Sequence, residues 1–122
     1  MKKMRSAISI AALIIIATSC THETDLTGLK DISFSSDIQP IIAGNCTQSG
    51  CHNGNAEFSL ITYNDIIDHG HIKAGDAHGS DLYQAISNHG FAETMPPEPL
   101  PPLSTDQIKM VYLWIEQGAK NN

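Results

Sequence analysis

The sequence is poor in the side chains that build a large hydrophobic core. Only 6% of its 122 residues are aromatic, and Trp114 is the single tryptophan. No segment shows the strict alternation of apolar and polar residues that is typical of a β-strand, so we predict an all-α domain. Small domains with so little apolar material are marginally stable on their own. They often contain a disulfide, a metal or another bound group, and we expect such a supplement to the core here.

Basic side chains are scarce beyond the first few residues. After residue 19 the chain carries thirteen acidic residues and only four basic ones, a net charge of −9. The four are Lys30, Lys73, Lys109 and Lys120. So acidic a surface argues against binding to nucleic acid and against direct adsorption to anionic lipid. It favours solubility or a partner with a basic surface.

The sequence also lacks an apolar run long enough for an ordinary membrane-spanning helix. Its longest apolar run, Ile8 to Ala17, follows three basic residues and precedes Cys20 after small residues. This layout is typical of an export signal, and a cysteine directly after small residues resembles the lipobox of bacterial lipoproteins. We therefore predict a lipoprotein-type signal peptide over residues 1–19, with Cys20 acylated. A plain secretory signal and an uncleaved anchor are the alternatives.

The rest of the chain divides into a tether and one domain. Residues 20–33 are mostly polar, which predicts a tether, and the length of the chain favours a single domain over residues 34–120. An exported protein of this kind would lie in the cell envelope or periplasm. Several acyl chains on Cys20 would anchor it stably to a membrane.

Three cysteines are an odd number for an exported protein. If Cys20 is acylated, Cys46 and Cys51 remain as a pair in one loop, and His52 follows directly. A disulfide suits an oxidising compartment, but one that closes so short a loop would stabilise the chain little. Two cysteines followed by a histidine are also the pattern of covalent haem attachment, C-x-x-C-H. In that chemistry the thiols add to the porphyrin vinyl groups and the histidine binds the iron from the proximal side.

The cysteine spacing here is wider than in the usual haem motif. Four residues, not two, separate Cys46 from Cys51, although Ser49-Gly50 can form a sharp bend that accommodates the extra length. Zinc is a further interpretation, but Cys46, Cys51 and His52 would need a fourth ligand. The motif by itself therefore favours haem and leaves a disulfide and zinc open.

Capping patterns predict four short helices. Their predicted starts are Ser36 with Gln39, Thr62 with Asp65, Ser80-Asp81, and Ser104 with Gln107. The last helix is the clearest, from about Thr105 to Gln117, and Gly118 ends it. Before it, five prolines within residues 96–102 exclude both a helix and a central strand.

In their order along the chain these features resemble the small bacterial cytochrome c domains whose haem motif has expanded spacing. The resemblance extends over about residues 33–120. The residues that carry it are Phe34, Asp37-Ile38-Gln39-Pro40-Ile41, Cys46 to His52, Leu60-Ile61-Thr62-Tyr63, Gly75, Ser80-Asp81-Leu82-Tyr83, Met95-Pro96-Pro97, Leu103-Ser104 and Trp114 to Ala119.

This resemblance implies a cytochrome c fold, in which N- and C-terminal helices cross and short helices wrap one covalent haem c. It also implies that Met95 is the distal iron ligand. A stiff proline segment can hold a thioether against iron with little loss of entropy. The rivals of Met95 are loop histidines: His69, His71, His78 and His89. We favour His89 among them because it ends a helix six positions before Met95. Trp114 and Tyr63 are expected in the core.

Three functions follow from these expectations. The first is an electron carrier, not an enzyme, since two protein ligands leave no open iron site. Its partner would be a redox protein or a membrane respiratory complex. The second is a haem-based ligand-binding or peroxidatic subunit, in which Met95 dissociates. The third is a haem-free interaction lipoprotein stapled by a Cys46–Cys51 disulfide.

Overall fold

A computed structural model describes residues 24–90 and 93–122 and confirms an all-α domain. Its four helices are α1 Gln39–Asn45, α2 Tyr63–His69, α3 Asp81–Ser87 and α4 Thr105–Glu116. Neither described stretch contains a β-strand. The predicted signal peptide over residues 1–19 and the predicted acylation site Cys20 lie outside the described residues. Within residues 24–90 and 93–122, every helix is too short or too polar to cross a membrane.

The first helix begins earlier than the capping pattern predicts. One π-helical turn, Phe34–Ile38, leads directly into α1. Its N-cap is Ser33, whose hydroxyl accepts a hydrogen bond from the amide of Ser36. The Asp37 carboxylate completes the cap by accepting the Ser33 amide at 2.8 Å. The predicted capping box of Ser36 with Gln39 is therefore wrong, since Ser36 lies inside the turn.

The other predicted helix starts are confirmed. Thr62 and Asp65 form a reciprocal capping box at the start of α2, and Ser104 and Gln107 form another at the start of α4. α3 begins directly after Ser80, as predicted, but the Ser80 side chain does not cap the helix. That hydroxyl is buried and bonds to the preceding loop instead.

The centre of the core lies where the π-helical turn packs against α4. The ring of Phe34 lies 5.1 Å from that of Tyr63 and 5.8 Å from that of Trp114, measured between centroids. The Tyr63 hydroxyl donates to the carbonyl of Ala119 at 2.8 Å, and Trp114 Nε1 donates to that of Lys120 at 3.0 Å. Trp114 is completely buried. Trp114 is therefore a core residue, as the sequence predicts, and Tyr63 is partly buried against the core.

Aliphatic side chains from all four helices and the π-helical turn surround these rings. The completely or nearly buried ones are Ile38, Ile42, Ile66, Ile86, Val111 and Ile115. They join the π-helical turn, α1, α2, α3 and α4 into one hydrophobic cluster, so the short helices share a single core.

The described part of the predicted tether contacts the end of the chain. The Gln117 side chain accepts the amide of Ile32 at 2.8 Å and donates to the carbonyl of Lys30 at 2.9 Å. Ile32 is buried in the core. Further back, the Thr24 hydroxyl lies 3.0 Å from the Tyr112 hydroxyl on α4. The segment from residue 24 to residue 33 is thus held against the last helix and the residue that follows it.

Candidate functional site

Beside this core lies a cavity of about 520 Å³. Sites for cofactors and drug-sized ligands measure about 300–1,000 Å³, so the cavity is large enough for a cofactor. Its walls come from the cysteine loop, the end of α2, one face of α3 and the start of the proline segment. Apolar side chains predominate in these walls, among them Leu60, Leu82 and Ile86.

The structure brings the whole cysteine motif to this cavity. Cys46 lies directly after α1, and both Cys51 and His52 line the cavity with it. The His52 amide donates to the Cys46 carbonyl at 2.9 Å, and the Cys51 amide donates to the Gln48 carbonyl at 2.9 Å. Gly50 has a φ of 83°, a conformation that glycine adopts without steric penalty. The four-residue spacer therefore folds into a compact turn that returns the second cysteine to the same cavity.

The two cysteines of the motif are free thiols and form no disulfide. Cys46 is only 7% exposed, and Cys51 is more accessible. Burial, and to a smaller extent the neighbouring Cys51, raises the pKa of the Cys46 thiol to about 11. Since the thiolate is the reactive form, Cys46 is a protonated and protected thiol at neutral pH.

Zinc also lacks a suitable ligand set. In the two described stretches, no group of three or more histidine, cysteine, aspartate or glutamate side chains is placed to hold a metal ion. Structural zinc sites use four ligands in a tetrahedral arrangement, and the described residues give no support for such a site at Cys46, Cys51 and His52.

The imidazole of His52 lines the cavity, and one of its two nitrogens is covered by the surrounding protein. Its Nδ1 atom is buried and has no hydrogen-bond partner among the described residues. Because Nδ1 is covered by protein, Nε2 is the nitrogen left available on the cavity side. The ring packs against Phe58, with 4.4 Å between the centroids and 36° between the planes. His52 can therefore present Nε2 to a metal-containing group in the cavity.

Met95, the predicted distal ligand, lines the same cavity. Its amide donates to the carbonyl of Ala85 on α3 at 2.9 Å, and its side chain packs against the hydrophobic core. Pro96 and Pro97 also contribute to the wall. The proline segment thus places Met95 in the wall of the cavity that Cys46, Cys51 and His52 also line.

The four rival histidines separate into two groups. His69 and His71 line the cavity, whereas His78 and His89 do not. His89 is exposed, and its ring centroid lies 6.4 Å from that of His78. His78 in turn packs edge-on against Tyr83. The histidine that the sequence favours as a rival to Met95 therefore belongs to a separate surface cluster.

His69 and His71 are held in the way that metal-bound histidines usually are. His69 Nδ1 lies 2.9 Å from the carbonyl oxygen of Ser59, and His71 Nδ1 lies 2.6 Å from a carboxylate oxygen of Asp81. A carbonyl or carboxylate at one ring nitrogen fixes the orientation and leaves the other nitrogen for the metal. The structure thus favours His69 and His71 over His89 as alternatives to Met95.

One residue of the site, Phe58, is not found by sequence reasoning. It is 47% exposed, lines the cavity, and lies between the rings of His52 and His69. The available signal was weak: Phe58 is a lone aromatic residue in the polar loop after the cysteine motif. Its position next to His52 depends on how that loop folds, which the spacing of the residues does not specify.

Comparisons of the chain with protein-family models, with curated proteins and with solved structures found no match. The residues of the cavity nevertheless fit a covalently bound haem. They supply two free thiols, an imidazole with an available nitrogen, a thioether and apolar walls that suit a flat, largely apolar macrocycle. The functional interpretation depends on this combination.

Proposed function

We propose that this chain is a mono-haem c-type cytochrome that carries electrons at the cell envelope. One observation supports this most strongly: Cys46, Cys51, His52 and Met95 all line a single cavity of about 520 Å³. These residues come from two segments more than forty positions apart in the sequence. Their convergence is expected for a haem site and has no evident purpose in a disulfide-stapled domain.

Each residue has a definite role in the proposal. Cys46 and Cys51 would hold the haem through thioether bonds, and His52 Nε2 and the Met95 sulfur would be the protein ligands of its iron. A bound haem supplies one-electron chemistry at iron. The walls of the cavity are mostly apolar, and the short loop between the cysteines forms one edge of the site.

Electron transfer is the function that this ligand set favours. Two protein ligands leave no open position for a substrate, which suits outer-sphere electron exchange and disfavours oxygen chemistry. Methionine with histidine also gives a higher reduction potential than two histidines. The proposed protein is therefore an electron carrier and not itself an enzyme.

The cytochrome c fold is part of the same proposal. Two observations support it: α4 packs against the π-helical turn that leads into α1, and the cysteine loop follows α1 immediately. This order places the haem motif beside the contact between the first and last helical segments. The cavity would then hold the group that completes the sparse core.

The proposed setting is the cell envelope, with acylated Cys20 as the membrane anchor. A carrier held near the membrane would exchange electrons with a redox protein or a membrane respiratory complex. Thirteen acidic residues give the exported chain a strong negative charge, so a basic docking surface would speed association. The same charge disfavours nucleic acid as a partner.

The test is to express the full chain in a bacterium that has the cytochrome c maturation machinery. We expect a coloured protein whose haem remains attached after denaturation. Cys51→Ala should retain at most one thioether and give a lower yield of haem protein, while Ser49→Ala, in the same loop, serves as the matched control and should not. A colourless wild-type protein would contradict the proposal, as would a Cys51→Ala variant with an unchanged yield and pyridine-haem spectrum.

A further inference from the structure

The imidazole of His52 is held in an unusual way. A metal-bound histidine almost always donates its second N–H to a carboxylate, a carbonyl or a water molecule. His52 Nδ1 is instead buried without a hydrogen-bond partner among the described residues. No hydrogen bond from the described residues therefore fixes the plane of this ring.

The contact that the structure offers is an aromatic stack. Phe58 lies between two histidine rings, with its centroid 4.4 Å from that of His52 and 5.2 Å from that of His69. The planes are inclined by 36° and 34° respectively, which is closer to offset stacking than to an edge-on contact. Rings at these separations attract one another beyond the gain from burial.

The outer ring of the stack is itself fixed. His69 ends α2, and its Nδ1 lies 2.9 Å from the carbonyl oxygen of Ser59, the residue that follows Phe58. The loop that carries Phe58 is therefore tied to the helix that carries His69. The ring of Phe58 thus has His69 as a neighbour on the side away from His52.

We propose that Phe58 is a positioning residue for His52 and takes the place of the missing hydrogen-bond acceptor. This inference rests on the proposed haem function and deepens it. The stack sets the angle of the imidazole plane, while Nδ1–H has no acceptor that would draw its proton away. Phe58 thereby determines both the orientation of the proximal ligand and its strength as an electron donor.

The electronic consequence has a definite sign. A hydrogen bond from the second ring nitrogen makes a metal-bound histidine more basic. A more basic ligand stabilises the oxidised, more positive iron and lowers the reduction potential. Because His52 Nδ1–H lacks an acceptor among the described residues, this arrangement would favour the reduced state. Loss of the stack would let the ring turn, or let water reach Nδ1–H, and the potential would fall.

The experiment compares Phe58→Leu with Phe58→Tyr in the haem-loaded full chain. Leucine keeps apolar bulk but removes the flat ring, whereas tyrosine keeps the stack. We expect Phe58→Leu to reduce the equilibrium constant for reduction about three- to tenfold, and tenfold corresponds to about 59 mV for one electron. Phe58→Tyr should retain the wild-type potential. The exposed neighbour Ile61, changed to Val, is the control for a substitution outside the stack.

A second measurement separates positioning from a general structural role. Proton NMR of the oxidised protein reports the orientation of the imidazole plane through the shifts of the haem methyl groups. These shifts should change in Phe58→Leu and not in Phe58→Tyr. A stabilising role alone would lower the melting temperature of Phe58→Leu without moving either readout.

Two results would overturn the inference: a Phe58→Leu variant with the wild-type potential and methyl shifts, or a Phe58→Tyr variant that changes as much as Phe58→Leu. Either result can be obtained only if the wild-type chain binds haem covalently. A chain that binds no haem would contradict the proposed function instead, so the two failures are distinguishable.

Discussion

The two sides of this small domain are built in opposite ways. Where the π-helical turn meets α4, Trp114 and Ile38 are completely buried, and the polar atoms of the large rings have partners, such as the bond from Trp114 Nε1 to the Lys120 carbonyl. On the cavity side the thiols are free, His52 Nδ1 has no partner among the described residues, and Phe58 is half exposed.

This contrast separates the source of stability from the site of function. The packed side satisfies its own polar atoms and needs no further group. The cavity side instead gathers two thiols, an imidazole and apolar walls around one cavity, as the proposed haem would require. A covalently bound haem would bury these walls, and the burial of apolar surface would stabilise the folded state.

The largest effect on stability should come from the packed side. Trp114→Ala removes a completely buried ring, and such truncations reduce the free energy of unfolding by about 3–5 kcal/mol. Urea unfolding of wild type and variant measures the loss. Trp114→Phe keeps most of the packing and loses mainly the Nε1 hydrogen bond, so it should have a smaller effect. A loss below about 1 kcal/mol for Trp114→Ala would show that this side is not the centre of the core.

The next effect should fall on the cavity side and on the spectrum. Met95→Ala should abolish the weak long-wavelength charge-transfer band of ferric iron bound to methionine. It should also lower the reduction potential, because methionine raises the potential relative to histidine. His89→Ala should change neither, since His89 lies outside the cavity.

His69→Ala and His71→Ala complete that comparison, because both histidines line the cavity. If the charge-transfer band is absent from wild type and one of these two variants changes a six-coordinate spectrum into a five-coordinate one, that histidine is the distal ligand. If His89→Ala alone alters it, the placement of His89 in the surface cluster is contradicted.

The two thiols should differ in reactivity when no haem is attached. Cys46 is buried and its pKa is raised to about 11, so only about one molecule in ten thousand carries its thiolate at pH 7. We expect iodoacetamide to modify the more accessible Cys51 at least about tenfold faster. Mass spectrometry of the digested protein measures both rates. Equal rates at pH 7 would contradict the burial of Cys46.

The same pKa predicts how the stability of the haem-free protein depends on pH. The folded thiol keeps its proton up to about pH 11, whereas an unfolded thiol loses it near 9.0. The folded state therefore binds more protons between these values, and its stability falls as the pH rises through this window. Cys46→Ser, which lacks the titrating thiol, should lose less stability over the same range in urea titrations.

The smallest effect should come from a helix cap. Ser104 caps α4 by accepting the amide of Gln107, and replacing a serine cap by alanine costs about 1 kcal/mol. Thr105→Ala, at the next position, changes an exposed residue that is not the cap and should cost less. Thermal unfolding compares the two variants. An equal loss in both would show that the Ser104 hydroxyl does not matter for the start of α4.

Local rules predicted much of the helical frame and little of the cavity. The caps at Thr62 and Ser104 follow from residues three apart in the sequence, so the pattern alone identifies them. The cap of the first helix was missed because several serines stand close together there. Ser33 is the N-cap, and its hydroxyl also donates to the carbonyl of Asn122. That partner is far away in the sequence, so a local pattern does not identify this cap.

Some residues of the site can likewise be recognised from the local sequence, and others only from the three-dimensional structure. Cys46, Cys51 and His52 are recognisable because they are adjacent or nearly so. The preference for His89 over His69 and His71 came from its distance to Met95 along the chain. In the structure, the fold of α2 and of the loop after it brings His69 and His71 to the cavity, whereas His89 does not line it. Phe58 is found only from its ring contacts, because its importance lies in geometry.

The central claim is that Cys46 and Cys51 hold a haem. Trypsin cleavage after Lys30 and Lys73 releases one peptide, residues 31–73, that contains both cysteines and His52. The mass of this peptide from the exported protein is the most direct test. We predict the peptide mass plus one haem, with no thiol left to alkylate. A peptide of unmodified mass, with two thiols that can be alkylated or with a disulfide between them, would contradict the account.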